Sequence, residues 1–203
     1  MPVTIGAKPS PDFSNPIELL IDCHRRIERF SAVLMKVAAQ VKGGTMTKEQ
    51  SREWEQALDY FRNAAPRHTA DEEESLFPRL RRMNQPEVES AIAEMQKLEA
   101  DHEQAAGWHK IVDQLGRKWL SEAMLVPHDA ERLNQALANL SQLYSRHIAV
   151  EDESLFPVAT AVLANTEKAN IGAEMAHRRG LDPRRLAERL LDLNQRREET
   201  LDK

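Results

Sequence analysis

Two eleven-residue segments of the chain share one histidine-headed, acidic sequence. The first, HTADEEESLFP, begins at His68, and the second, HIAVEDESLFP, begins at His147; eight of the eleven positions are identical. In each segment a glutamate follows the histidine by four residues, at Glu72 and Glu151. Residues four apart project from the same side of a helix. Because imidazole nitrogen and carboxylate oxygen together suit iron, the two pairs predict metal ligands.

Two further histidines extend the repeat. His24 and His102 lie 78 residues apart, each on the helix predicted to precede one of the segments, whereas His68 and His147 lie 79 apart. The chain is therefore predicted to contain two copies of one helical hairpin. Apolar residues flank the pairs at helical spacing, so the carboxylates should be buried, which costs several kcal/mol if they stay unpaired. A pair of metal ions inside a helical bundle would remove that cost.

The apolar residues recur at steps of three and four, which predicts four long helices. The expected architecture is all-α: an up-down-up-down four-helix bundle over residues 16–163. An extended segment, 1–15, would precede the bundle, and an appendage, 164–203, with two short helices at about 166–179 and 183–199, would pack on it or on a partner. The predicted caps and breaks are Asn15-Pro16 and Gly43-Gly44 for the first long helix, Thr47 and a kink at Pro66 for the second, Pro86 for the third, and Asp129 for the fourth.

Composition excludes several classes of protein. Of the 203 residues, 30% are charged, 41% hydrophobic and 5% aromatic, which is typical of a globular helical protein. The net charge of −5 and the dispersed arginine pairs argue against nucleic acid as a partner. No apolar run approaches the roughly 20 residues that span a bilayer, so no membrane is expected. The single cysteine, Cys23, excludes an intrachain disulfide, and with no secretory signal visible a cytoplasmic location is expected.

The order His, His-x-x-x-Glu, His, His-x-x-x-Glu on four helices, from residue 16 to about 160, resembles the hemerythrin-like (HHE cation-binding) family of di-iron four-helix bundles. The resemblance implies two Fe ions joined by an oxo or hydroxo bridge, with Mn as the alternative metal. The ligands that it implies are His24 and His68 for one ion, His102 and His147 for the other, and Glu72 and Glu151 bridging both.

The sequence departs from the oxygen-carrying hemerythrins, which have five histidines, two of them four apart on the third helix, and an aspartate on the fourth. Leu98 and Ala106 stand four residues either side of His102, and Glu151 replaces the aspartate. We therefore expect binding or reduction of oxygen, peroxide or nitric oxide rather than reversible storage, with any enzymatic activity left open. The alternatives are an iron- or oxygen-responsive regulator, whose C-terminal helices contact a protein partner or a second copy, and a metal-free scaffold.

Several other residues have two interpretations. The remaining acids of the repeat are expected on solvated faces, with a supporting role for Glu74 and Glu153 left open. These acids are Asp71, Glu73, Glu74, Asp152 and Glu153. Tyr144 and His109 are expected in the core, although Tyr144 could reach a bound oxygen species. Glu28 follows His24 by four residues and is a weaker ligand candidate, because Ala106 stands at the equivalent position of the other half. His128 and His177 are expected at the surface, and the small residues Ala105, Ala106 and Gly107 are expected to leave room for a diatomic ligand.

Overall fold

The computed structural model describes residues 12–83 and 86–182, and every regular element in that part of the chain is helical. Two π-helical segments interrupt the α-helices, at Asp71–Leu76 and at Glu151–Leu155. The α-helices are α1 (Pro16–Val41), α2 (Lys48–Asn63), α3 (Ala65–Ala70), α4 (Phe77–Arg81), α5 (Pro86–Glu122), α6 (Pro127–Val150), α7 (Phe156–Val162) and α8 (Asn165–Arg178). The all-α prediction is confirmed.

Local signals set most of the helix ends. Thr47 and Gln50 form the predicted capping box, in which each side chain accepts a hydrogen bond from the other residue's backbone N–H. Helix α1 stops where predicted, because Lys42 and Gly43 adopt left-handed φ values of 51° and 77°. The predicted cap at Asp129 is wrong. The N-cap is Val126, three residues before Asp129, and helix α6 begins at Pro127, whose fixed φ suits a first helical position.

The second long helix is interrupted at Ala64, two residues before Pro66. Helix α2 stops at Asn63 and α3 starts at Ala65, but Ala64 between them keeps a right-handed helical backbone (φ −97°, ψ −44°). The predicted continuation of the helix past Pro66, with a local interruption there, is confirmed. It matters because α3 carries His68, and the chain must keep its direction for that histidine to face the interior.

The interior consists of two hydrophobic clusters with a polar layer between them. Along α1, Leu20 belongs to one cluster and Ile27 to the other, and His24 lies between them. Along α5, Leu98 and Ala105 are divided in the same way. The first cluster is centred on Trp54, Leu58, Trp119, Leu133 and Leu140, and the second on Leu76, Phe77, Met95, Leu155 and Phe156.

Helix α8 packs against α1 and against the first π segment. It starts at Asn165, one residue earlier than predicted, and Gly180, at φ 69°, follows its end. Residues 1–11 of the predicted extended segment and the predicted helix 183–199 lie outside the described residues. Within the described ranges, none of the helices combines the length and the apolar character needed to cross a bilayer.

Candidate metal centre

Each shared glutamate lies at the start of a π-helical segment: Glu72 is the second residue of the first segment, and Glu151 is the first residue of the second. The backbone N–H of Phe77 donates to the carbonyl of Glu72, and that of Phe156 donates to the carbonyl of Glu151. These hydrogen bonds span five residues instead of four, so the helix is widened just after each glutamate. Sequence reasoning missed both segments, although a proline in each copy, at Pro78 in the first, was a usable signal. A proline lacks the N–H that would continue the α-helical pattern.

The structure brings all six sequence-predicted residues together in the polar layer. They form two clusters of four that have both glutamates in common, and in each cluster the candidate ligand atoms lie within 4.8 Å of one another. The clusters are His24, His68, Glu72 and Glu151, and Glu72, His102, His147 and Glu151.

Glu72 lies between histidines of both halves of the chain. Its Oε1 is 3.2 Å from Nε2 of His68, and its Oε2 is 3.4 Å from Nε2 of His102. The two carboxylate oxygens thus face different clusters. That is the arrangement a carboxylate needs to bridge two ions.

Glu151 also contacts both halves. Its Oε2 is 3.1 Å from Nε2 of His24 and 3.2 Å from Nε2 of His147. The side chains of Glu151, Glu72 and His24 are all fully buried. Both oxygens of each glutamate, together with Nε2 of His24, have no hydrogen-bond partner. Buried carboxylates without partners are costly, and a cation bound among them would satisfy these atoms, so the residues fit a metal.

The electrostatics of the centre favour positive charge. Burial lowers the pKa of His24, but the hydrogen bond to Asp152 and the nearby carboxylates of both shared glutamates outweigh it and raise the pKa to about 11. Burial is likewise outweighed at His102, where Glu72 is the largest favourable contact and the pKa rises to about 9. Burial raises the pKa of Glu72, yet His68 and the other imidazoles lower it below its ordinary value. A bound cation would supply the positive charge that the carboxylates otherwise draw from protons.

Two further carboxylates orient the histidines. Asp152 is only 14% exposed, so its predicted solvated position is wrong, whereas Glu73 is 35% exposed and contacts a histidine from a partly solvated position. Asp152 Oδ1 accepts a hydrogen bond from Nδ1 of His24 at 2.7 Å, and Glu73 Oε1 accepts one from Nδ1 of His102 at 2.8 Å. Each acid directly follows a shared glutamate in sequence, and each reaches across to the histidine of the other half. With Nδ1 engaged, the Nε2 of each ring is directed at the centre.

The other acids of the repeat differ between the halves. Asp71 is fully buried and pairs with Arg178 and Arg179 of the C-terminal part of the chain, so its predicted solvated position is also wrong. Glu74 and Glu153 are both exposed, as predicted, and Glu74 also pairs with Arg178 at 3.1 Å. Neither Glu74 nor Glu153 contacts a candidate ligand.

The other residues interpreted from the sequence are not candidate ligands in the structure. Glu28 is half exposed and pairs with Arg25, so it is not a ligand candidate in this structure. His128 and His177 are exposed, as predicted, and Cys23 is buried.

A cavity of about 380 Å³ adjoins the centre. All four clustered histidines line it, together with His109 and Tyr144, which hydrogen-bond each other at 2.6 Å between Nε2 and the hydroxyl oxygen. Burial lowers the pKa of His109 to about 4, so this ring is neutral near pH 7. Ala105 and Ala106 line the cavity, but Gly107, which was predicted to help make room for a ligand, does not.

A helical protein whose interior gathers four imidazoles and two shared carboxylates belongs to the class of His/Glu metal-binding helical proteins. Comparison with known families agrees: the model of the hemerythrin HHE cation-binding domain matches residues 15–159. The chain therefore belongs to the hemerythrin HHE cation-binding family, and the resemblance seen in the sequence is confirmed. An uncharacterized protein of Haemophilus influenzae is 30% identical over 168 residues, which are 82% of this chain and 91% of that protein.

Proposed function

We propose that this protein is a non-haem di-iron protein that binds or reduces oxygen, peroxide or nitric oxide. One observation carries the proposal: two four-residue clusters share Glu72 and Glu151, both fully buried and both without hydrogen-bond partners. A single ion would need only one such cluster. Two clusters with both carboxylates in common suit two ions with bridging ligands.

The chain would hold one ion with His24 and His68 and the other with His102 and His147, and the glutamates would bridge them. When bound, an iron pair supplies electrons or a coordination position for a small oxygen or nitrogen species, and manganese is the alternative metal. The protein itself orients the His24 ring through Asp152 and the His102 ring through Glu73, and it keeps bulk water from the buried glutamates.

The proposal includes an up-down-up-down four-helix bundle formed by α1, α2–α4, α5 and α6–α7. Two contact patterns support it. Helix α1 packs on α2 and α6, and α5 also packs on α2 and α6. Along α1 and α5 the chain passes from the second hydrophobic cluster to the first, and along the other two it passes back. A cytoplasmic location remains an expectation from the sequence and rests on the single cysteine.

Metal analysis with a near-ultraviolet spectrum tests the proposal. We expect two irons per chain and oxo-to-iron absorption bands in protein purified with iron. His68→Ala and Glu151→Ala should each lose at least one iron, because each removes a candidate ligand of a cluster. Glu153→Ala is the matched control, since this exposed acid lies two residues from Glu151 and contacts no candidate ligand. Equal iron content in all three variants and in the wild type would contradict the assignment.

A metal-responsive regulator is the second candidate, and the contacts of α8 favour it. Arg179 donates to Asp71 at 2.7 Å, and Ser75 donates to Glu174 of α8 at 2.5 Å. Asp71 and Ser75 both lie in the π segment that begins at the residue next to Glu72. A change in the position of Glu72 would therefore shift the π segment against which α8 packs.

Limited proteolysis separates the two candidates. A regulator should be cleaved near α8 much faster after metal removal, because losing the cation leaves buried acids uncompensated beside the α8 contacts. Equal resistance of metal-free and iron-loaded protein would exclude regulation by release of α8. Rapid consumption of peroxide or nitric oxide by the iron-loaded protein would support the first candidate.

A further inference from the structure

The cavity beside the metal centre is too large for the small ligands considered so far. Its volume is about 380 Å³, whereas a molecule the size of water takes up roughly 30 Å³ in the liquid. Pockets that bind small organic molecules have volumes of about 300–1,000 Å³.

The walls of the cavity indicate what kind of molecule it accepts. Most of the wall away from the metal centre is apolar, and a charged molecule would lose its hydration there without compensation. The apolar part of the wall is made by Ile27, Leu58, Phe61, Ala105, Val112 and Ile148. The body of the occupant must therefore be uncharged and mostly hydrocarbon.

A tyrosine–histidine pair forms a polar position within the apolar wall. The Tyr144 hydroxyl and Nε2 of His109 hydrogen-bond at 2.6 Å, and the Phe61 ring stacks on the His109 ring with centroids 4.6 Å apart. Since His109 is neutral, this pair carries no charge, and the hydroxyl oxygen keeps capacity for one more hydrogen bond. That position suits one oxygen atom of a bound molecule.

Three charged residues, Arg62, Lys110 and Asp113, line the cavity, and Lys110 is exposed to solvent. Arg62 pairs with Asp113 and with Asp59, and its side chain is 34% exposed. The pair joins α2 to α5 across the cavity lining. The cavity thus passes from a charged, half-exposed edge, through an apolar chamber, to the four histidines of the metal centre.

We propose that this cavity binds a small uncharged organic molecule that has an apolar body and one terminal hydroxyl or hydroperoxyl group. The apolar chamber takes the body, and the terminal oxygen lies near Tyr144 and the histidines. This inference rests on the proposed function only in placing the occupant beside a metal pair; the binding itself depends on residues of the chamber.

Calorimetry on the metal-loaded protein tests the binding. The probe is 2-phenyl-2-propanol, and cumene hydroperoxide, which has the same apolar body, is the second arm. Ala106→Phe should abolish binding of both, because Ala106 lines the cavity and is itself exposed, so the larger ring can enter the chamber at little cost to the fold. Gly107→Phe is the matched control: a Cβ built at Gly107 meets nothing within 4 Å, and this residue does not line the cavity. Tyr144→Phe should weaken binding about fivefold, which is the loss expected for one hydrogen bond.

The outcomes distinguish this inference from the proposed function. Binding of the alcohol that Ala106→Phe abolishes and Gly107→Phe preserves supports the cavity site, even if the reduced protein reacts with no peroxide. No binding of either probe, in a protein that still consumes hydrogen peroxide, overturns the inference and leaves the proposed function standing. If the alcohol fails to bind and only the hydroperoxide does, the terminal group must be a peroxide; equal binding of both supports a site that accepts either group. Equal binding to the wild type and to Tyr144→Phe would mean that the apolar body alone is recognised and would overturn the assignment of the terminal oxygen. Binding that persists unchanged in Ala106→Phe would place the probe elsewhere and also overturn the inference.

Discussion

Replacing Asp152 tests whether the carboxylates behind the histidines hold the metal centre in place. Its Oδ1 accepts a hydrogen bond of 2.7 Å from Nδ1 of His24, whose side chain is fully buried. A hydrogen bond to a charged group contributes about 1.5–3 kcal/mol, which corresponds to roughly 10- to 150-fold in a binding constant. We expect Asp152→Ala to weaken metal binding by that factor, and Asp152→Asn, which keeps an acceptor but no charge, to have a smaller effect.

Competition with a chelator of known affinity measures the change. Wild type, both Asp152 variants and Glu153→Gln are loaded with the same metal, and the fraction retained is followed against chelator concentration. Glu153 is the neighbouring exposed acid, so its variant should match the wild type. Because Asp152 also pairs with the half-exposed Arg25, Arg25→Ala controls for that contact and should change affinity little. Unchanged affinity in Asp152→Ala would show that His24 needs no support from this carboxylate and would refute the reasoning.

Two further predictions concern stability. His109 has a pKa of about 4 in the fold against an ordinary value of 6.5, so the unfolded chain binds its proton first as pH falls. The contribution of the neutral His109 ring to the free energy of unfolding is complete above pH 6.5 and decreases by roughly 3 kcal/mol as pH falls to 4. His109→Gln should remove that part of the pH dependence, as measured by urea unfolding at several pH values, whereas His177→Gln, at an exposed position, should not; parallel curves for His109→Gln and wild type would contradict this. Gly172→Ala should lower stability by about 1–3 kcal/mol, because its Cβ would lie 1.8 Å from the Phe13 carbonyl oxygen. The added methyl group of Gly107→Ala meets no neighbouring atom, so this variant should gain a few tenths to 1 kcal/mol of stability. Thermal unfolding measures both glycine variants, and equal melting temperatures for the two would disprove the packing argument.

The convergence of the six metal-ligand candidates could be predicted because it depends on periodicity alone. His24 and His102 interrupt apolar patterns that would otherwise be continuous, and such an interruption places a polar side chain in the interior. His68 and His147 occupy equivalent positions of the repeat. The repeat therefore predicts that both lie in the same layer of the interior as His24 and His102. Neither step requires knowing how the helices are tilted.

The supporting carboxylates could not be predicted in the same way. Glu73 and Asp152 directly follow the shared glutamates, so a regular α-helix would turn them about 100° away from the centre. Their contacts with His102 and His24 are between elements far apart in sequence, and spacing within one helix carries no information about such contacts. Glu74 and Glu153 recur identically in both copies, yet neither reaches the centre.

The π segments connect these results. The first begins one residue before Glu72 and the second begins at Glu151, and each is followed by a proline that cannot donate an α-helical hydrogen bond. Widening the turn there re-phases the helix, so the residues after it need not follow the 100° step that predicts a solvated face. Two consecutive acids can then serve one centre, with Glu72 directed at the histidines of both halves and Glu73 at the outer nitrogen of His102. On this argument the repeated proline is as much a part of the metal-site sequence as the histidine and the glutamate, because it marks where a regular helix must give way.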